Sequence, residues 1–500
     1  MIDPQFPASG QSPPGPNLRR SLLATIDRSP AGPEQSAGHG LGTSLKPRHV
    51  TMISIAGVIG AGLFVGSATA INLAGPAVLL SYLFAGTLVV LVMRMLGEMA
   101  TAHPDTGSFS TYADRSLGRW AGFSVGWLYW WFWVLVIPVE ATAGALILHN
   151  WLGGEQWIWA AVITLLLTAT NLISVGNYGE FEFWFALIKV VAIVAFIALG
   201  LAAILGWLPS SEQSGISLLT AEGGFMPLGF GAVIAAMLTT MFSFMGTEIV
   251  TIAAAESANP EKGITRATNS VIWRIGLFYL GSIFIVVCLV PWNTLDPAVG
   301  SYQSALQVMG IPHADQIMNV VVLTAVASCL NSGLYTASRM IFSLSVRGDA
   351  PRALRRITPS GVPRNAVLAS MVLGFAGIVG NYVLPEDLFG YLLATTGAVA
   401  LFVYLVIALS QLVSRRKLDA EGARPAVRMW LYPWLTYLAI AFIVFVMIVM
   451  ITLPDQRVQL LLSVALAVVV LIAGIIVDRR HGGASGRSDA ESEQNARRGH

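Results

Sequence analysis

Long apolar runs separated by short polar connections fill the chain from residue 50 to residue 477. A membrane-crossing helix needs about 20 apolar residues, and twelve runs match that length. The alternating pattern of β-barrel strands does not occur in the sequence. The pattern therefore predicts an all-α membrane protein with twelve transmembrane helices, at residues 50–71, 76–100, 121–149, 156–175, 183–207, 229–252, 271–292, 315–338, 365–384, 386–411, 430–452 and 457–477.

Composition and cysteine use narrow the class of protein further. Only 11% of the residues are charged and the mean hydropathy is +0.69, whereas a soluble domain carries roughly 25% charged residues. Residues 1–44 are rich in proline, glycine and serine, and residues 479–500 are polar, so both tails are predicted to be disordered. Cys288 and Cys329 fall inside predicted spans, so neither a structural disulfide nor a metal site is expected.

Basic residues are distributed unevenly between the two sides that twelve spans define. All but three of the 29 lysines and arginines fall on one side. They lie in the two tails and in the loops 113–120, 262–274, 339–364 and 415–428. Arg94 and Lys189 lie within spans, and only Arg457 falls on the other side. Because cytoplasmic loops carry the excess of basic residues, both termini are predicted to be cytoplasmic.

Glycines interrupt the first span in the stretch ISIAGVIGAGLFVG, residues 53–66. Glycine inside a helix costs about 1 kcal/mol relative to alanine, so four glycines in one span need a reason. The spacing and the membrane setting disfavour a nucleotide-binding loop. Two interpretations remain: close helix packing through the pair Gly62 and Gly66, or a break of the helix at mid-membrane.

A second interruption favours the break. The stretch MFSFMGTEIV, residues 241–250, lies in the middle of the sixth span and places Gly246 beside Glu248. Spans one and six correspond in a five-plus-five inverted repeat, and paired interruptions at such positions indicate a transporter binding site. The predicted fold is thus a five-plus-five inverted repeat with helices 1 and 6 broken and two extra C-terminal helices. Its domains are residues 45–210, 225–413 and 428–478.

Helix ends exposed by a break determine what can bind there. An N-terminal end presents free N–H groups and partial positive charge, which suit a carboxylate. A C-terminal end presents carbonyl oxygens, which suit an ammonium group. A site with both ends therefore favours a zwitterion, that is, an amino acid.

Ionisable residues inside the spans are candidates for function, because such a charge costs at least about 2.5–3.5 kcal/mol at membrane depth. Lys189 is either a proton-exchanging coupling group or a lysine that reaches the inner surface. Glu248 adjoins the second interruption and is assigned to the substrate site. Glu140 is either a structural hydrogen-bonding group or a contact for the substrate amine. Glu256 is either paired with a loop arginine or part of a gate.

Two pairs of residues have helical i, i+4 spacing. Arg94 and Glu98 are predicted to form a structural ion pair. Tyr129 and Trp133 share one face of the third span. Packing or an interfacial aromatic belt is the ordinary reason for such a face, and an aromatic wall that attracts an ammonium is the alternative.

These stretches together resemble the amino acid permeases of the amino acid–polyamine–organocation superfamily. The resemblance covers about residues 42–478 and rests on IAGVIGAGLF, FSFMGTE and the lysine of the fifth span. Single motifs are shared by permeases of different substrates. The ordered set that includes PDTGSFSTYAD, GWLYWWFWVLVIPVEA, NYGEFEFW and SCLNSGLYTASRM is similar to the bacterial permeases of 4-aminobutyrate (GABA).

The resemblance implies a substrate site at the two breaks. Main-chain amides would hold the substrate carboxylate, at Gly60, Ala61 and Gly62. Carbonyl groups would hold the amine, at Val58, Phe242 and Met245. The resemblance also implies proton coupling or transport roles for side chains at Lys189, Glu248 and Glu256, and substrate-facing positions for Tyr129 and Trp133.

The expected function is proton-coupled import of GABA and related small amino acids across the bacterial inner membrane, by alternating access. We expect a monomer or weak homo-oligomer in the lipid bilayer, with no cofactor and no nucleic acid partner. A permease for proline, asparagine, aromatic or many amino acids is the alternative, and a channel, a receptor or an enzyme is less favoured. Because the amine of GABA is on C4, a nearby carboxylate is expected to meet it, either Glu140 or Glu248.

Overall fold

The computed structural model describes the backbone of residues 47–56, 59–173, 175–208, 215–255, 257, 259–383 and 388–498. Regular secondary structure in these stretches is helical, and no β-strand occurs in them. Nine helices among the described residues are long and apolar enough to cross a membrane. Two shorter apolar helices, Gly229–Met241 and Arg364–Gly380, accompany them. The predicted all-α membrane class is confirmed.

The helices follow one another in this order. They are α1 (Pro47–Ala56), α2 (Ala61–Phe64), α3 (Gly66–Ala74), α4 (Val78–Ala102), α5 (Ser108–Leu117), α6 (Arg119–Leu152), α7 (Gln156–Ile173), α8 (Val175–Ile204), α9 (Leu218–Ala221), α10 (Gly229–Phe244), α11 (Ile249–Ala255), α12 (Pro260–Arg274), α13 (Ser282–Leu289), α14 (Ser301–Val308), α15 (Ala314–Arg347), α16 (Arg364–Val383), α17 (Leu388–Ala420), α18 (Trp434–Thr452) and α19 (Pro454–Arg498). A π-helical segment, Ile275–Gly281, joins α12 to α13.

Helix α6 lies at the centre of the bundle. It packs along α15 over much of its length and also contacts α5, α7, α16, α17 and α19. Most of its side chains are buried, including the large rings of Phe132 and Trp133. Pro138 stands inside the helix, and because proline has no N–H, the turn before it loses one backbone hydrogen bond.

Helices at the periphery expose apolar side chains. Leu166 on α7, Trp184 on α8, Leu438 on α18 and Val469 on α19 are all more than half exposed. Lipid tails are as apolar as these side chains, so such faces are stable against a bilayer. The polar residues of the spans are therefore found in the middle of the bundle, where protein contacts satisfy them.

Helices α1, α3, α8, α10 and α15 surround the first interruption. Helix α1 packs on α8, α3 packs on α10, and α8 packs on α15. This arrangement brings the residues between α1 and α2 next to side chains of α8 and α15.

Three sequence expectations differ from the structure. Arg94 donates hydrogen bonds to Asn269 of α12 and to the carbonyl of Arg428 in the loop before α18, and Glu98 is paired with Arg415 of α17 at 2.7 Å. These contacts replace the expected Arg94–Glu98 pair. Helix α19 continues through residues 479–498, where a disordered tail was expected. That segment contains DAESEQNARR, which is rich in residues of high helix propensity. The third difference concerns two arginines and is described with the site.

Candidate functional site

The first interruption lies between α1 and α2. Helix α1 ends at Ala56 and α2 begins at Ala61, and Ile59 and Gly60 are not helical. A Cβ atom on Gly60 would lie 2.6 Å from Glu140 Oε1 and 2.8 Å from Cys329 Cβ, so only glycine fits there without movement. Val58 lies outside the described residues, and its carbonyl role stays a prediction.

The second interruption lies between α10, which ends at Phe244, and α11, which begins at Ile249. Gly246 has a φ of +96°, a conformation that favours glycine. Its N–H faces both carboxylate oxygens of Glu248, at 3.1 and 3.2 Å. The Glu248 side chain thus caps the interruption, and since each carboxylate oxygen has two acceptor positions, it can accept further donors.

A small cavity lies between the two interruptions. Its volume is about 10 Å³, which is room for one water molecule. It is lined by residues from α2, α6, α10, α15 and the second interruption: Gly62, Phe132, Trp133, Val136, Glu140, Ser243, Met245 and Cys329. Four of these are predicted site residues, namely Gly62, Trp133, Glu140 and Met245.

The aromatic face of α6 continues from this cavity. Tyr129 is buried and packs edge-to-face on Trp133, with ring centroids 6.0 Å apart. The Tyr129 hydroxyl lies close to the Glu248 carboxylate and to the Trp133 ring, but neither this hydroxyl nor Trp133 Nε1 makes a well-formed hydrogen bond among the described residues. Because buried polar groups are nearly always paired, both groups have hydrogen-bonding capacity for a ligand or a water molecule. Ala61 begins α2 and Phe242 lies near the end of α10; only their backbone is described.

Lys189 on α8 is fully buried next to the first interruption. Its Nζ donates hydrogen bonds to the carbonyl of Ile59 at 3.1 Å and to Ser328 Oγ at 2.8 Å. Ser328 Oγ in turn donates to Glu182 Oε1 at 2.5 Å. The direct distance between Lys189 Nζ and Glu182 Oε1 is 4.0 Å. This burial contradicts the interpretation of Lys189 as a lysine that reaches the membrane surface.

Glu182 and Ser328 did not emerge from the sequence as site residues. Glu182 precedes Lys189 by seven positions, which is two helical turns, so both lie on one face of α8. That spacing is the signal that would have identified it. Nothing in the sequence places Ser328 of α15 between them, because that contact depends on how two helices pack.

Two arginines assigned to cytoplasmic loops are buried in helices. Arg274, the last residue of α12, is 3% exposed, and its two terminal nitrogens have no hydrogen-bond partner within the described part of the chain. Arg339 of α15 is 2% exposed, and its guanidinium lies 3.9 Å from the centre of the Tyr335 ring. The loops 262–274 and 339–364, predicted from the positions of the basic residues, are therefore shorter in the structure, because helices extend into both.

A larger cavity of about 670 Å³ lies toward the Leu152 end of α6. Its walls include Phe64, Thr142, Asn150 and Tyr302. Phe64 is two residues from Gly62, and Thr142 is two residues from Glu140, so the larger cavity approaches the small one from this end.

Polar contacts close the opposite end, where α6 begins. Glu180 of α8 pairs with Arg48 at 2.7 Å. The hydroxyls of Ser108 and Thr251, from α5 and α11, are 2.9 Å apart. Arg119 lies 2.9 Å from Asp349; burial raises the pKa of this carboxyl, and the nearby Arg347 and Arg119 guanidinium groups oppose that shift. Glu256, expected at this end, lies outside the described residues.

Comparison with known proteins identifies the family. The sequence profile described as "Amino acid permease" matches residues 49–481. The chain belongs to the amino acid permease family. This permease is 63% identical over 445 residues to a protein named "Probable GABA permease" in Pseudomonas aeruginosa, an alignment that covers 88% of this chain and 93% of that protein.

Two further relatives have similar coverage. The "Gamma-aminobutyric acid permease" of Escherichia coli is 61% identical over 448 residues, covering 89% of this chain and 96% of that protein. The protein of the same name in Bacillus subtilis is 49% identical over 443 residues, covering 88% and 94%. These similarities confirm the predicted family and the prediction of a multi-pass membrane transporter rather than an enzyme.

Proposed function

We propose that this permease imports GABA together with protons by alternating access. The substrate assignment rests on the sequence identity of 61–63% between this chain and two proteins named as GABA permeases, along at least 93% of their own length. The transport site is the small cavity between the two interruptions, because both interrupted helices and the central helix α6 contribute to its walls.

The finer architecture is proposed on the same basis. Helices α1 to α3 form the interrupted first membrane helix, and α10 with α11 forms the interrupted sixth. The twelve spans comprise a five-plus-five inverted repeat, residues 45–210 and 225–413, followed by two helices at 428–478. Both termini face the cytoplasm of the bacterial cell. The larger cavity then faces outward and the Ser108–Thr251 contact lies on the cytoplasmic side.

The substrate carboxylate binds the amides of Gly60, Ala61 and Gly62. The free N–H groups at the start of α2 support this assignment, because an anion is stabilised at such an end. Tyr129 and Trp133 cover the methylene groups of the substrate with their rings.

The ammonium group binds at the second interruption, to carbonyls of Phe242 and Met245 and to Glu248. Glu140 is less suited to that role, because its Oε1 atom lies beside Gly60, at the end that takes the substrate carboxylate. An ionised Glu140 would repel that carboxylate, whereas Glu248 belongs to the second interruption, three residues beyond Met245, which lines the cavity. An extended GABA molecule, with its carboxylate at Gly60 to Gly62, therefore directs its C4 amine toward Glu248.

The cavity must enlarge before GABA can enter it. It has room for only one water molecule, whereas the outer cavity of about 670 Å³ has room for an amino acid. Movement of Phe64 and α2 would join the two spaces, with the opposite end still closed by the Ser108–Thr251 contact. In the other half of the cycle the closed end opens and the outer cavity closes.

Competition during uptake tests the proposed substrate. Cells without a GABA carrier of their own express the permease and take up labelled GABA, with unlabelled GABA, proline, asparagine or phenylalanine in excess. We expect GABA to be the strongest competitor. If one of the other three amino acids competes better than GABA, the permease has a different principal substrate.

A further inference from the structure

We propose that Glu182 is the proton partner of Lys189, with the hydroxyl of Ser328 as the bridge between them. This inference rests on the proposed proton symport and adds a second proton-carrying group to it. Glu182 and Lys189 come from the same face of α8, and Ser328 comes from α15.

The three groups form one directed chain of hydrogen bonds. The chain runs from Lys189 Nζ to Ser328 Oγ at 2.8 Å and from Ser328 Oγ to Glu182 Oε1 at 2.5 Å. Both distances are within the range of strong hydrogen bonds, whereas the direct distance of 4.0 Å between Nζ and Oε1 is too long for one. A proton therefore passes between the two ionisable groups by way of the serine.

The transfer step balances without any further reactant. The N–H bond of Lys189 breaks as an O–H bond forms on Ser328, and the original hydroxyl proton of Ser328 moves to Glu182. The charged pair becomes a neutral amine and a carboxylic acid, and the summed charge of the cluster stays zero. The cluster changes its charge only when a proton enters it or leaves it.

Burial explains why Lys189 needs a proton partner. Lys189 and Glu182 are both fully buried. Removing the charge of one member of such a pair leaves the other as an uncompensated buried charge, which is strongly destabilising. Transfer through Ser328 discharges both groups together, so neither is left as an isolated charge in the protein interior.

Other titratable groups also lie near Lys189. Cys329 of α15 and Glu140 of α6 lie near it, and from the α1 side the contact is the Ile59 carbonyl. The hydrogen bonds from Lys189 lead through Ser328 to the Glu182 carboxylate, which also has Ser332 and Asn331 as polar neighbours. Neutralising Lys189 also weakens its hydrogen bond to the Ile59 carbonyl, because a hydrogen bond from a charged donor is roughly twice as strong as one from a neutral donor. Proton transfer to Glu182 is thus linked to the first interruption.

Reconstituted vesicles separate coupling from transport. Counterflow of labelled GABA, measured without a pH gradient, reports binding and movement of substrate. Accumulation driven by an inward proton gradient reports coupling. Wild-type permease, Glu182→Gln, Ser328→Ala and Glu182→Asp are compared, with Glu155→Gln as a matched control at an exposed position outside the site.

We expect Glu182→Gln and Ser328→Ala to keep counterflow and to lose accumulation, with a flattened dependence of counterflow on pH. Glu182→Asp retains a carboxyl group and should recover part of the accumulation, and Glu155→Gln should behave as wild type. The inference is overturned if Glu182→Gln accumulates GABA like wild type, or if it loses counterflow as well, which indicates a structural role. Wild-type protein that moves no GABA in either assay contradicts the proposed function itself.

Discussion

Lys189 Nζ lies 3.1 Å from the carbonyl oxygen of Ile59, so a buried cation of α8 holds the segment between α1 and α2. The last carbonyls of a helix lack intrahelical partners and carry partial negative charge. An ammonium group near the end of α1 satisfies one carbonyl of the adjoining segment. A change in the charge of Lys189 is therefore transmitted directly to the proposed carboxylate site.

Replacement of this cation should uncouple transport. Lys189→Met removes the charge and both hydrogen bonds of Nζ, so we expect loss of accumulation with some exchange of GABA retained. The measurement is uptake of labelled GABA to steady state, followed by exchange against unlabelled GABA. Lys262→Met, at an exposed position of α12, is the matched control and should accumulate normally. Full accumulation by Lys189→Met would show that this lysine has no coupling role.

The two acids near the cavity should differ in their effect on affinity. Glu248→Gln should raise the apparent KM for GABA roughly 10- to 100-fold, because a hydrogen bond to a charged group contributes about 1.5–3 kcal/mol. Glu140→Gln should change the apparent KM much less, because this substitution removes a charge next to the carboxylate of GABA and not next to its ammonium group. Initial uptake rates over a range of GABA concentrations measure both. The reverse order would assign the ammonium to Glu140.

Gly60 should tolerate no side chain. Gly60→Ala places a Cβ atom 2.6 Å from Glu140 Oε1, and overpacking of this kind costs about 1–3 kcal/mol. We expect loss of GABA uptake with protein still present in the membrane, measured by uptake and immunoblot of the same cells. Gly231→Ala is the control, since its Cβ meets nothing within 4 Å. Normal uptake by Gly60→Ala would argue against a tightly packed first interruption.

The Glu98–Arg415 pair should matter for stability rather than for substrate. Glu98 is fully buried and accepts a hydrogen bond from the Met429 N–H in addition to that from Arg415. Removing one member of a buried pair costs about 3–5 kcal/mol, so Glu98→Gln should lower the thermal unfolding temperature in detergent.

Asp419→Asn provides the matched control for this prediction. Asp419 also pairs with Arg415, at 3.0 Å, but its side chain is 50% exposed. Exposed pairs contribute less than about 1 kcal/mol, so the unfolding temperature should change little. Equal shifts in the two variants would mean that burial of Glu98 contributes nothing.

The sequence predicts the general architecture because membrane helices have a strong local signal. Apolar runs identify α4, α6, α8 and α15 without knowledge of how they pack. Glycines likewise mark both interruptions, since Gly60 and Gly246 are required by close contact and by backbone conformation, respectively.

Partners that depend on packing between helices could not be predicted in this way. Arg94 and Glu98 have the spacing of an ion pair, yet Arg94 donates to the Arg428 carbonyl in the loop before α18 and Glu98 pairs with Arg415 of α17. Arg274 follows a polar segment and reads as a loop residue, but its helix begins earlier, at Pro260. Ser328 carries no signal of its own, because a serine in a helix gains its role only from the neighbouring helix.

Proton movement coupled to GABA is the most direct test of the account. Vesicles containing the permease and a pH-sensitive dye in the lumen receive external GABA in the absence of any imposed gradient. Proton symport predicts acidification of the lumen on addition of GABA, and no acidification with Lys189→Met. Entry of labelled GABA without acidification, under the same conditions, would contradict proton symport.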